Sequence, residues 1–229
     1  MKILSVNKNN IQNKSFGHSS QSYDPYSKKQ KAIVATTTAL GVAASCAILS
    51  KFAGYSLAPK KMFSNIKNSY LGKVEYEMGE VIAIGAGSCL GGLAGGYIID
   101  KNKQNRKAKN REALMHFGNI SIPIVTVGVL VDKVFEKSGP LQKAVAGIIG
   151  VVAGIFLANI IMNKACNILF QDKSNERGVE LTDLPAHFDD VAVSAGYIFD
   201  KSKFVHGLTR VIPLALMVAG NEVGTKTVE

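Results

Sequence analysis

The feature that most constrains this chain is the run Val81–Ile99, VIAIGAGSCLGGLAGGYII, followed at once by DKNKQNRKAKNR. Nineteen consecutive residues carry no charge, and six Lys or Arg fall in the eleven residues after Asp100. At about 1.5 Å rise per residue, a helix of that length matches a hydrocarbon core roughly 30 Å thick. A basic cluster directly behind it marks a cytoplasmic face by the positive-inside rule. Ala32–Ser50, Ala113–Val131 and Ala144–Asn163 are three more windows without Asp, Glu, Lys or Arg. The expectation is an all-α polytopic membrane bundle with spans near 32–52, 80–100, 113–133 and 143–164. A polar, Asn/Ser-rich tail, 1–30, precedes it, and its composition argues for disorder and against a cleaved signal peptide. The last residues, 221–229, read as a second disordered tail.

The second window carries Gly87, Gly91 and Gly95 at spacing four, with Gly92 and Gly96 offset by one. Small residues every fourth position leave a groove through which another helix backbone can approach. In water each helical glycine costs about 1 kcal/mol relative to alanine, whereas a bilayer penalises broken backbone hydrogen bonds more severely. Val81–Ile99 is similar to the glycine-zipper segments of small bacterial membrane proteins, a resemblance confined to that run and assigning no function. Ala146, Gly150, Gly154 and Ala158 form a second stripe in the fourth window. The two stripes predict contact between the second and fourth spans, or pairing of each with its copy in a homo-oligomer.

Between the first two windows, Phe63, Ile66, Tyr70 and Val74 recur with helical spacing among Lys61, Lys67, Lys73 and Glu77. That pattern predicts an amphipathic helix over 60–78, at the membrane interface or across the bundle end. Pro123 interrupts the third window, where a kink is expected. Gly139-Pro140 punctuates a turn short enough to make the third and fourth spans an antiparallel pair. The region Val191–Gly220 is ambiguous, holding two apolar pieces split by Asp200, Lys201, Lys203, His206 and Arg210. A tilted fifth span over 204–220 is preferred, with a re-entrant hairpin as the alternative. A weak repeat matches GYIIDKNK at 96–103 to GYIFDKSK at 196–203. Downstream of it, His116 precedes Pro123 as His206 precedes Pro213, by seven residues in each case.

A net charge of +10 invites nucleic acid, but it is confined to clusters between apolar runs without any recognition motif. No nucleic-acid partner is expected. Cys46, Cys89 and Cys166 form no CxxC pair, so neither a disulfide framework nor a zinc site is expected. GAGSCLGG fails as a dinucleotide fingerprint because Leu90 stands at the third glycine position, and no Gly-Lys-Ser/Thr follows for a phosphate loop. His187, Asp189 and Asp190 lack the further ligands a metal site needs. No hydrolase or metalloprotease motif is present, so no catalytic residue, cofactor or enzymatic activity is expected.

Fifteen basic residues fall on the segments placed with the N-terminus, against eight on the opposite side. This orients the N-terminus to the cytoplasm, and the C-terminus outside if the fifth span exists. Composition points to a bacterial inner membrane, with the lipid bilayer as the first partner. The preferred function is helix-packing assembly or membrane organisation. The alternative is a small transporter or channel-like protein using Arg210, His116, His206, Pro123 and Pro213. A secreted membrane-active effector is the second alternative.

Overall fold

A computed structural model describes residues 25–60, 66–73, 76–171, 178, 187, 207 and 209–228. The chain is all-α. Its helices are α1 (Lys28–Ala53), α2 (Met78–Ile99), α3 (Lys103–Gly128, continued as a π-helical stretch Val129–Val134), α4 (Pro140–Phe170) and α5 (Ile212–Thr225). Lys28–Ala53, Met78–Ile99, Lys103–Val134 and Pro140–Phe170 are each long and apolar enough to cross a membrane. Among the described residues there is no strand, only an isolated bridge between Ser56 and Ser69.

Local chemistry sets the helix boundaries. Ser27 caps α1: its Oγ accepts from Gln30 N at 3.3 Å while Gln30 Oε1 accepts from Ser27 N at 3.0 Å, a reciprocal capping box. Gly54, with φ 74°, ends α1 in the left-handed region and donates its N–H to Ser50 O. Asn102 accepts from Gln104 N at 2.9 Å and starts α3. Gly139 caps α4 and Pro140 occupies its first turn, where a missing N–H costs nothing.

The helices are longer than the apolar windows, which corrects several expectations. The supposed basic loop is mostly the first turns of α3, because Lys, Arg, Gln and Ala are good helix formers and hydropathy does not see them. The N-terminal tail stops short of residue 30: Tyr26 is buried and α1 begins at Lys28. The C-terminal tail is helical to Thr225, and α5 spans Ile212–Thr225 rather than 204–220. At 14 residues it is about 21 Å long, shorter than a bilayer core. No continuous helix covers 60–78. Its described part forms two 3-10 turns, Ile66–Asn68 and Tyr70–Gly72, because Ser69 Oγ accepts from Gly72 N at 3.1 Å and turns the chain there. α3 runs on through Pro123, and its irregular stretch comes later, at Val129–Val134.

α2 is the central helix and uses two small-residue faces. A Cβ at Gly87 would lie 2.7 Å from Gly41 O, one at Gly91 2.4 Å from Thr37 O, and one at Gly95 2.8 Å from Val34 Cα. This face therefore lies against α1, antiparallel. The face offset by one residue meets α5. Cβ atoms at Gly92 and Gly96 would lie 1.8 Å from Gly220 O and 2.8 Å from Gly224 O. Residue numbers rise together along both helices, so α5 runs parallel to α2.

The second stripe lies against α3, not α2. Cβ atoms at Gly150 and Gly154 would lie 2.9 Å from Val127 Cα and 2.4 Å from Pro123 Cα, placing the stripe on α3. Ala146 and Ala158 are buried along the same helix. The expected contact between second and fourth spans gives way to this α3–α4 pairing, because a short turn already joins those helices side by side. The outer side of α4 exposes Ile148, Ile149, Val152, Phe156, Ile160 and Leu169, an apolar flank matched to lipid.

The direction of α5 corrects the sidedness of the C-terminus. Lys226 and Val228 meet Lys109 and Asn105 at the start of α3, so the chain leaves the bundle at the end where Tyr26 enters α1. Phe170 closes α4 at this end, while Arg210 lies at the opposite end beside Tyr55 and Tyr76. The connection between them therefore starts and finishes at opposite ends.

Candidate functional site

Polar chemistry concentrates at the two ends of the bundle. At the Asp100 end, the carboxylate that terminates α2 accepts from Tyr26 OH at 2.6 Å, Asn105 Nδ2 at 2.8 Å and the Asn102 N–H at 2.8 Å. Lys109 is fully buried; its Nζ lies 3.7 Å from Asp100 Oδ2, donates to Tyr26 OH at 2.8 Å and donates to Lys226 O. Burial works to raise the Asp100 pKa, but these hydrogen bonds and the Lys109 charge outweigh it and hold the carboxyl below its usual range. Burial, reinforced by Asp100, pushes the Tyr26 phenol well above its ordinary value. Arg106 donates to Asp100 O at 2.9 Å and Tyr97 O at 3.0 Å, satisfying carbonyls at the end of α2 while covering the Tyr97 ring. One polar knot thus joins the start of α1, the α2–α3 connection and the C-terminal residues.

Two turns deeper, His116 is fully buried and its Nε2 lies 3.2 Å from Glu112 Oε1 and 3.1 Å from Glu222 Oε2. Lys226 Nζ stands 3.5 Å from the other Glu112 oxygen. Lys109, Glu112 and His116 share one face of α3, so the helix needed for span three also carries this polar row. The sequence-matched partner of His116, His206, lies outside the described residues, as does the second copy of the GYI-x-DK motif. The matched prolines occupy different settings. Pro123 is inside α3 against Gly154, whereas Pro213 is in the first turn of α5.

At the other end, Lys73 Nζ is held by both oxygens of Glu80 at 2.6 Å. It lies 5.7, 5.9 and 6.0 Å from the ring centroids of Tyr55, Tyr70 and Tyr76, an aromatic cage around a cation. Burial first, then the nearby Glu80 charge, raises the Tyr70 phenol well above its ordinary pKa. Beside this cage lies a cavity of about 650 Å³ lined by Tyr55, Lys67, Lys73, Tyr76, Glu77 and Arg210. Arg210 therefore precedes α5 and lines the cavity, outside the helix Ile212–Thr225. Its Nε is buried without a hydrogen-bond partner.

Sequence reading singled out His116, Arg210 and the glycines, but missed Tyr26, Lys73, Glu80, Asp100, Lys109, Glu112 and Glu222. The i, i+3, i+7 spacing of Lys109, Glu112 and His116 was a legible signal once α3 was extended past its apolar window. Gly220 and Gly224, spaced four apart, were a second one. The tyrosine cage had none, because its residues sit in turns.

Among the described residues, no group of three or more His, Cys, Asp or Glu is arranged to hold a metal ion. Cys46, Cys89 and Cys166 are buried free thiols. No family model matches the chain, no curated protein is similar to it in sequence, and no solved structure matches it. The class defined by fold and sites is an all-α bundle with four helices apolar enough to span a membrane and a polar knot at one end.

Proposed function

We propose that the protein is a non-enzymatic integral protein of a bacterial inner membrane, with its N-terminus cytoplasmic and a role in membrane organisation. The bundle serves as an anchor that holds the start of α1 and the end of α5 together at one membrane face. The observation that supports this is the knot of Tyr26, Asp100, Lys109 and Lys226, which ties the first and last described segments to the α2–α3 connection. The small-residue faces contribute within one chain: they are occupied by α1, α5 and α3, which leaves any homo-oligomer to other surfaces. The cytoplasmic assignment follows from the excess of Lys and Arg at that end.

The test is carbonate extraction combined with labelling of Lys103→Cys, Lys137→Cys and Val228→Cys in a background without the native cysteines. Retention in the membrane is expected, with labelling from outside at residue 137 only. Release by carbonate, or labelling of residue 228 together with 137, refutes the reading. A proton-coupled transporter is the second reading, favoured by His116 between Glu112 and Glu222 inside an apolar bundle. Proton flux in proteoliposomes that disappears in His116→Ala would replace the first reading with this one.

A further inference from the structure

The cavity at the Tyr70 end belongs to neither reading. Its lining brings Lys67, Lys73 and Arg210 against Glu77, with Glu80 paired to Lys73. Among the described residues, three cations against two carboxylates leave one positive charge. Lys73 is engaged by Glu80, but Lys67 and Arg210 have no hydrogen-bond or ion-pair partner among the described residues. A guanidinium with a buried, unsatisfied Nε is costly unless something accepts from it. Guanidinium and ammonium together are the usual pair for phosphate oxygens, the first as a planar fork and the second as a point charge. A volume of about 650 Å³ lies within the range of small-ligand sites and far exceeds a water or a chloride.

The surroundings indicate how such a group arrives. The cavity lies at the end of α1 and the start of α2, where a bilayer's headgroups would be. Tyr55 and Tyr76 line it, and tyrosine favours that layer because its ring is apolar and its hydroxyl polar. At the same end Phe52 is 85% exposed, and Met78 and Leu71 are also exposed, apolar surface suited to acyl chains.

We propose that this cavity binds a phosphate group, supplied as the singly charged phosphodiester of an anionic lipid, with Arg210 and Lys67 as its ligands. Lys73 holds the tyrosines that form the wall, and Glu77 sets the charge limit. A diester with one negative charge neutralises the lining, whereas a dianion leaves it negative.

The test uses the full chain purified in detergent, delipidated, and melted with short-chain phosphatidylglycerol, short-chain phosphatidylcholine or inorganic phosphate. Co-purifying phosphatidylglycerol is counted by mass spectrometry before delipidation. Phosphatidylglycerol is expected to raise the melting temperature while phosphatidylcholine does not, and Arg210→Gln with Lys67→Gln is expected to lower retained phosphatidylglycerol about tenfold. Glu77→Gln, which removes a negative charge from the lining, is expected to increase retention. Lys67→Gln alone, at an exposed position, covers the case in which the Arg210 variant misfolds, and a partial loss is expected there. Equal stabilisation by inorganic phosphate would keep the phosphate site and overturn the lipid as its source. Equal retention by the wild type and Lys67→Gln, or equal stabilisation by the two lipids, overturns the proposal.

Discussion

Replacing Gly92 by alanine adds one methyl group at the closest helix contact in the bundle. A Cβ there would stand 1.8 Å from Gly220 O, 2.5 Å from its carbonyl carbon and 2.8 Å from its Cα, where ordinary contact begins at 3.4 Å. These are backbone atoms, so no side chain can swing aside, and α5 must retreat by about 1.5 Å. The retreat breaks a buried polar seam. Ser88 Oγ donates to Leu216 O at 2.6 Å and accepts from Gly220 N at 3.2 Å, and a further ~1.5 Å takes both beyond hydrogen-bonding distance. Overpacking costs about 2 kcal/mol and the unsatisfied seam a similar amount, while alanine returns about 1 kcal/mol of helix propensity. The net loss is about 3 kcal/mol, which for a chain of this size lowers the melting temperature by about 6–12 °C. The assay is thermal unfolding in detergent, with Gly79→Ala as the control. Gly79 lies in the first turn of the same helix, and its Cβ would meet nothing within 4 Å. Gly79→Ala is expected to match or slightly exceed the wild type. A Gly92→Ala protein that melts with the control would show that α5 does not lie against α2 at this separation, and the reasoning would fail.

Two more perturbations address the polar knot and the outer helix. Because the Asp100 carboxyl is held below its ordinary range, its stabilising contribution is complete above the unfolded carboxyl's pKa of about 4 and lost as pH falls through the depressed folded value. Asp100→Asn should therefore lower the melting temperature at pH 7 and flatten its decline as the pH falls below about 4; an unchanged profile removes Asp100 from the knot. Gly154→Val places a branched side chain 2.4 Å from Pro123 Cα, at the seam that holds α4. A loss of about 3 kcal/mol is expected from melting curves, and wild-type stability would disprove the α3–α4 contact.

The parts of the fold legible in the sequence are those governed by composition over a long window. Charge-free runs located four spans, and small residues at spacing four marked the surfaces where helices meet. Which helix meets which was not legible, because a groove of glycines is complementary to any backbone. Gly87 and Gly92 differ by five positions, yet they face different partners. The extent of α5 was misread for a related reason: the helix runs on past Gly220 to Gly224 and Thr225, which a hydropathy window assigns to the tail. Arg210 was legible as unusual but not as lying at a cavity, since a turn before a helix leaves no periodic trace. Polar groups beyond the apolar windows were the least visible. Lys109 looks like any member of a basic cluster until the helix that carries it is known to begin at Lys103.

The parallel seating of α5 against α2 has a consequence for the order of assembly. Ser88 finds its hydrogen-bond partners at Leu216 and Gly220, residues made 128 and 132 positions later. During synthesis α1, α2, α3 and α4 emerge as a string of sequential neighbours, each able to pack on the one before. The second face of α2 stays unoccupied until Ile212–Thr225 has been made, because contacts so distant in sequence form only after the intervening chain exists. A chain that stops before Ile212 keeps the four helices that are apolar enough to cross a membrane, yet its α2 carries an open glycine groove with a serine at its centre. Docking of this fourteen-residue helix thus closes the second face of α2 after the four longer helices have been made.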